Sequence, residues 1–104
     1  MDMTAVSGFQ WDEGNRDKCQ KHGVSIAEIE ALFTYPHHLA PDVAHSTTET
    51  RFLAIGSGGG ERPILVAFTL RAQQGETFIR PISARYMHLK EIEAYEKATA
   101  PPDQ

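Results

Sequence analysis

The period of apolar and polar residues changes midway along the chain, and that change predicts an α+β fold with helices first and an antiparallel sheet after. Ile26, Ile29, Leu32 and Phe33 recur at helical spacing, with Glu28 and Glu30 on the wet side. Ser25-Ile26-Ala27-Glu28 in front of them is a capping-box pattern, and Pro36 stops the helix. A more polar helix precedes it, from Asp12 as N-cap through Asn15, Cys19 and Lys21 to Gly23, and its polarity predicts a surface position. Phe9-Gln10-Trp11 alternates too briefly to be more than a short strand or an anchoring segment.

From Arg51 the period becomes two. Arg51 to Gly56 predicts one strand, Ser57 to Gly60 a flexible turn, and Pro63 to Leu70 a second strand apolar on both faces, hence central. After a turn at Ala72 to Gly75, Glu76 to Ala84 predicts a third strand, in which Pro81 lacks an amide donor and implies an edge or a bulge. Leu89, Ile92 and Tyr95 mark a closing helix that fades before Pro101-Pro102. The stretch from His37 to Thr50, with Pro41 inside it, is expected to be a long connection. The expected architecture is one domain over residues 1–104, with two N-terminal helices, a three- to four-stranded antiparallel sheet and a C-terminal helix. Residues 1–8 and 99–104 are expected to be flexible.

Composition narrows the class. A 40% hydrophobic content fits a globular chain, and the longest apolar run, Ile64 to Phe68, falls far short of the roughly 18 residues a membrane span needs. The start of the chain has no secretory pattern. Cys19, the sole cysteine, excludes an internal disulfide and fits a reducing compartment, so a cytoplasmic location is expected. A net charge of −4 argues against nonspecific coating of nucleic acid. The charge is divided, however: residues 1–50 sum to −5 and residues 51–90 to +4.

Most candidate chemistry has an ordinary explanation. His37, His38 and His45 match no common zinc spacing, and no metal or cofactor is expected. Gly58 to Gly60 lacks the Lys-Ser or Lys-Thr of a phosphate loop and suits a hairpin turn. His22 before Gly23 suits the carbonyl end of the first helix, whereas His88 opens a helix beside Arg85 and Lys90, where an anion could bind. The arginines Arg71, Arg80 and Arg85 end or interrupt neighbouring strands. Guanidinium groups recognise phosphate through paired hydrogen bonds, so the series suits an RNA backbone; pairing with Glu76, Glu91 or Glu93 is an equally good reading from spacing alone.

Three segments together resemble the BrnT family of bacterial type II toxin–antitoxin toxins. They are Phe9 to Glu13 with Lys21-His22-Gly23-Val24-Ser25 and Leu32-Phe33; Glu49 to Gly56; and Ile79 to Arg85 with Glu91 and Tyr95-Glu96. The resemblance implies a RelE-like fold and metal-independent endoribonuclease activity, by attack of the ribose 2′-oxygen on the adjacent phosphate. It also implies a BrnA-like ribbon-helix-helix antitoxin, an oligomer with it, and operator DNA contacted only through that antitoxin. No membrane partner is implied. Carried over position by position, it assigns phosphate contact and charge stabilisation to Arg80, Arg71 and Arg85, and proton transfer to His22, Glu91 or Tyr95. Lys21, Arg51, Ser83, His88 and Lys90 become candidate RNA contacts, with Ser83 equally suited to pairing strands or capping a turn. Phe68 and Leu70 stand where many relatives carry a His and a polar residue. The alternative is therefore a catalytically weak or inactive subunit that binds the antitoxin and acts in operon repression.

Overall fold

The computed structural model describes residues 5–45, 48–60 and 62–99. The chain folds as α+β, in the order β1 (Val6–Phe9), α1 (Glu13–Gln20), α2 (Ile26–Leu32), β2 (His37–Pro41), a 3-10 turn (Val43–His45), β3 (Phe52–Gly56), β4 (Ile64–Gln73), β5 (Glu76–Tyr86) and α3 (Leu89–Thr99). The three strands expected from the period-two pattern are β3, β4 and β5. The sheet is larger than that, however, and mixed, with five strands in the order β1-β5-β4-β3-β2.

β2 to β5 form an antiparallel meander, and β1 returns to the far edge to pair parallel with β5. Neither added strand has a sequence signature strong enough to announce it. β2 is His37-His38-Leu39-Ala40-Pro41, inside the stretch expected to be connection, and the ladder to β3 rather than propensity makes it a strand. β1 contains Gly8 and lies mostly within the segment expected to fray, reaching only Phe9 of the stretch read as a short strand or anchoring segment. Residues 1–4 and 100–104 of the two expected tails lie outside the described residues.

Both helix starts form as the sequence suggests. Ser25 accepts from the Glu28 amide at 3.0 Å while Glu28 accepts from the Ser25 amide at 3.1 Å. Asp12 and Asn15 close the same kind of box on α1. Gly23, at φ +90, takes the left-handed turn that ends the first helical segment. The core lies between the two helices and one face of the sheet: Cys19, Val24, Ile29 and Leu32 pack on Ala54, Ile64, Val66, Phe68, Ile79 and Ala84. Cys19 therefore points inward from α1, and desolvation pushes its thiol up to about 11, which removes it as a nucleophile.

Pro81 sits at a bulge, not an edge. Pro81 pairs with Phe68 and Ser83 with Ala67, which leaves Ile82 as an extra residue on β5. The carbonyl of Pro81 accepts from the Asn15 amide nitrogen Nδ2 at 2.9 Å, and the same nitrogen donates to the Gln10 carbonyl at 3.0 Å. Asn15 is 6% exposed, so this one side chain fastens the start of α1 to the bulge in a dry setting.

Replacing Asn15 with Ala removes the side-chain donor to the Pro81 carbonyl in its buried setting, at a cost of about 1–3 kcal/mol. A clearly lower urea midpoint is expected for Asn15→Ala, and an unchanged midpoint would show that this tie contributes nothing.

Candidate active site on the outer face of the sheet

The bulge decides where the arginines point. Side chains alternate along a strand, so Arg80 and Arg85, five positions apart, would face opposite sides of a regular strand. The extra residue at Ile82 resets the phase. Arg80 pairs with Thr69 and Arg85 with Leu65, and those two β4 residues are four apart and share a face. Arg71 belongs to the same set, as the next odd-numbered position on β4. This is the face opposite α1 and α2. The even-numbered Ile64, Val66 and Phe68 fill the core instead.

Two adjoining clefts open on this outer face. One, of about 290 Å³, is lined by Lys18, Glu49, Arg51, Thr69, Arg71 and Arg80 among others. The other, of about 450 Å³, is lined by Asp42, His45, Arg51, Ser83, Arg85 and Glu91 with apolar floor residues. Arg51 belongs to both walls and joins them. Ser83 lies on the floor between the rows of Arg80 and Arg85, opposite Ala67.

Each strand arginine engages a carboxylate at the surface. Arg71 donates from Nε and Nη2 to Glu49 at 2.7 and 3.2 Å. Arg80 donates from Nη2 to Asp12 Oδ2 at 2.7 Å and from Nη1 to the Gln10 side chain at 3.3 Å. Arg85 forms a two-pronged pair with Glu91 at 2.7 and 2.8 Å. The carboxylates are open to solvent, with side-chain exposures of 38% for Glu49, 54% for Asp12 and 35% for Glu91. Pairs of this kind contribute at most about 1 kcal/mol, so an anion of matching shape can take the carboxylate's place.

Two of these carboxylates also serve a helix start. Asp12 Oδ1 accepts from the Asn15 amide at 3.0 Å, and that bond, followed by Arg80, holds the Asp12 carboxyl below its ordinary range. Glu91 Oε1 accepts from the His88 amide at 2.8 Å as well as from Arg85. Arg85 first, then the His88 amide, hold Glu91 down to about 2. Glu91 is thus a poor proton acceptor at neutral pH.

The remaining sequence candidates spread more widely. Lys90 and His88 are exposed at the start of α3. Tyr95 meets the His38 ring edge-on at 5.5 Å, so α3 spans the sheet row Arg85, Leu65, Ile55, His38, with Glu91 at one end and Tyr95 at the other. Lys21 and His22 lie exposed in the turn after α1 and line neither cleft. The lysine that does is Lys18, three residues after the buried Asn15. That helical interval was the signal available for it. Glu49 opens one of the family segments, although not as a partner of Arg71; Asp42 and His45 gave no comparable signal, because their setting depends on β2 and the turn that follows it. Among the described residues, no three His, Cys, Asp or Glu side chains gather as metal ligands do, and no helix is long and apolar enough to cross a membrane.

A mixed sheet with two helices on one face and a row of ion-paired arginines on the other defines a small α+β protein with an open, polar sheet face. The family model for the ribonuclease toxin BrnT of type II toxin–antitoxin systems matches residues 11–91, and the chain belongs to that family. No curated protein matches it. The matched span covers β3, β4, β5 and all the strand arginines. With the family come the role of toxin and an antitoxin partner.

The Glu91–Arg85 pair has a pH signature. Glu91 falls from an ordinary 4.5 to about 2 on folding, so the pair's contribution to stability is complete above about 4.5 and disappears as pH falls toward 2. Thermal melting of the wild type against Glu91→Gln should show an advantage for the wild type that vanishes across that window. A difference that stays constant down to the lower limit would contradict the pairing.

Proposed function

We propose that this toxin is a metal-independent endoribonuclease that cleaves RNA by attack of the ribose 2′-hydroxyl on the adjacent phosphate, with the backbone lying along the outer sheet face. The observation that carries this reading is the gathering of Arg51, Arg71, Arg80 and Arg85 around two joined clefts on one face. Such chemistry needs the backbone positioned and the charge of the phosphorane stabilised, and forked guanidinium groups suit both needs. The surface carboxylates hold each fork extended before substrate arrives. Phosphate oxygens then replace carboxylate oxygens with little rearrangement.

In this reading Arg71, Arg80 and Arg85 stabilise charge, while Arg51, Lys18, Ser83 and the exposed Lys90 and His88 contact the backbone. Glu91, held ionised by Arg85, orients that arginine and does not carry protons. The antitoxin is proposed to be BrnA-like, with a ribbon-helix-helix part that alone touches operator DNA, and to form the oligomer in which the toxin is held.

The alternative of an inactive, antitoxin-binding subunit drew on Phe68 and Leu70. Phe68 is fully buried, edge-on to Phe33 at 5.2 Å and stacked on Phe52 at 5.5 Å, and Leu70 packs on the same core. Both replacements therefore face the helices and leave the arginine face unaltered. That geometry favours the active reading.

Inducible expression of the chain without its antitoxin is expected to stop growth and fragment cellular RNA, as followed by primer extension. Arg80→Ala should lose on the order of 100-fold or more of the cleavage while still binding the antitoxin. Intact RNA and normal growth with the wild-type chain would rule the ribonuclease out, and antitoxin binding without cleavage would favour the regulatory subunit.

A further inference from the structure

The connection between β2 and β3 carries a pair that neither the arginine series nor the family segments pointed to. His45 closes the 3-10 turn, and its Nδ1 lies 3.0 and 3.1 Å from the two carboxylate oxygens of Asp42. The backbone fixes both residues. The Asp42 amide donates to the Arg51 carbonyl at 2.9 Å, and the His45 amide donates to the Asp42 carbonyl at 3.2 Å. The Asp42 side chain is 13% exposed while the imidazole is 66% exposed, so the carboxylate sits beneath and the ring stands above it.

An ionised carboxylate only accepts, so the hydrogen bond places the imidazole proton on Nδ1 and leaves the lone pair on Nε2. The pair lines the larger cleft together with Arg51, Ser83 and Arg85, and no other histidine lines either cleft. A ring oriented by a carboxylate, beside guanidinium groups on an open face, is the arrangement that takes a proton from a hydroxyl and tolerates the charge that follows.

We propose that His45, oriented by Asp42, is the proton acceptor of RNA cleavage on this face; the proposal rests on the ribonuclease reading above. Nε2 takes the proton of the ribose 2′-hydroxyl as the O2′–P bond forms, and Asp42 stabilises the imidazolium. The P–O5′ bond breaks with its electron pair on O5′, which takes a proton from water, and the imidazolium returns its proton to solvent. The products are a 2′,3′-cyclic phosphate end and a 5′-hydroxyl end, with no covalent enzyme intermediate. Arg85 offsets the charge on the phosphorane oxygens, and Arg51 holds the backbone beside it. Asp42 is a positioning residue and does not touch the substrate.

The test uses the purified full chain, with RNA supplied both free and in a translating extract. His45→Ala is expected to lose about 100- to 10,000-fold in kcat with KM little changed, and its melting temperature should hold because the ring is exposed. Imidazole added to the buffer should restore part of that loss in His45→Ala and none in Arg80→Ala. Asp42→Asn should lose less, again in kcat, and should gain nothing from imidazole. If His45→Ala cleaves as well as the wild type while Arg80→Ala is inactive, the proton role is wrong and the ribonuclease stands. A His45→Ala defect that lies in KM and ignores imidazole assigns the ring to binding and overturns the proposal. Absence of cleavage by the wild type in either form of substrate removes the ribonuclease reading, and this proposal with it.

Discussion

The site depends on one extra residue in β5. Without the bulge at Ile82, Arg80 and Arg85 would point to opposite sides of the sheet, and one of them would enter the core beside Ile79 and Ala84. Charge in that core would need a buried partner at considerable cost. The bulge also absorbs Pro81, whose missing amide would break a regular ladder. Asn15 completes the arrangement by donating to the carbonyl at that point. Backbone geometry, helix docking and arginine placement are therefore one constraint met three times.

A second economy lies in the carboxylates. Asp12 and Glu91 each satisfy backbone amides at the start of a helix while holding an arginine of the outer face. Both groups lie at helix N-termini, where negative charge is already favoured. The arginines thus rest with their charge balanced, in keeping with a chain whose net charge is −4 despite its basic middle segment. When phosphate replaces the carboxylate at Arg80 or Arg85, the helix start keeps the oxygen that accepts its amide. The sheet face can then exchange partners without dismantling the helices beside it.

Much of this was legible in the sequence, and the limits have physical causes. The Ser25 capping box, the Asp12 N-cap, the helix ending at Gly23, the three central strands and the irregularity at Pro81 follow from local rules that the residues state directly, whereas the return bond from the Asp12 amide to the Asn15 side chain does not. β1 and β2 did not, because four or five residues containing Gly, His and Pro become strands only when a neighbouring ladder recruits them. The arginine series was visible as residue types, but its common face was not, since periodicity alone predicts opposite faces for positions five apart. Lys18 took the place expected for Lys21 because the helix presents that turn, and not the following one, to β5. His45 was set aside on metal-ligand spacing, whereas its partner Asp42 lies three residues away and its setting is formed by strands remote in sequence.

α3 contributes no residue to the core cluster, and it meets the outer face through the Arg85 pair and the ring contact with His38. Leu89, in its first turn, is 71% exposed. A segment fastened by surface contacts opens at lower free energy than the sheet beneath it, so its amides are expected to exchange faster than those of β4 and β5. Undocking α3 would uncover Arg85 and a row of β5, β4, β3 and β2 in a single movement. The helix that completes the fold is thereby also a detachable cover over part of the arginine face.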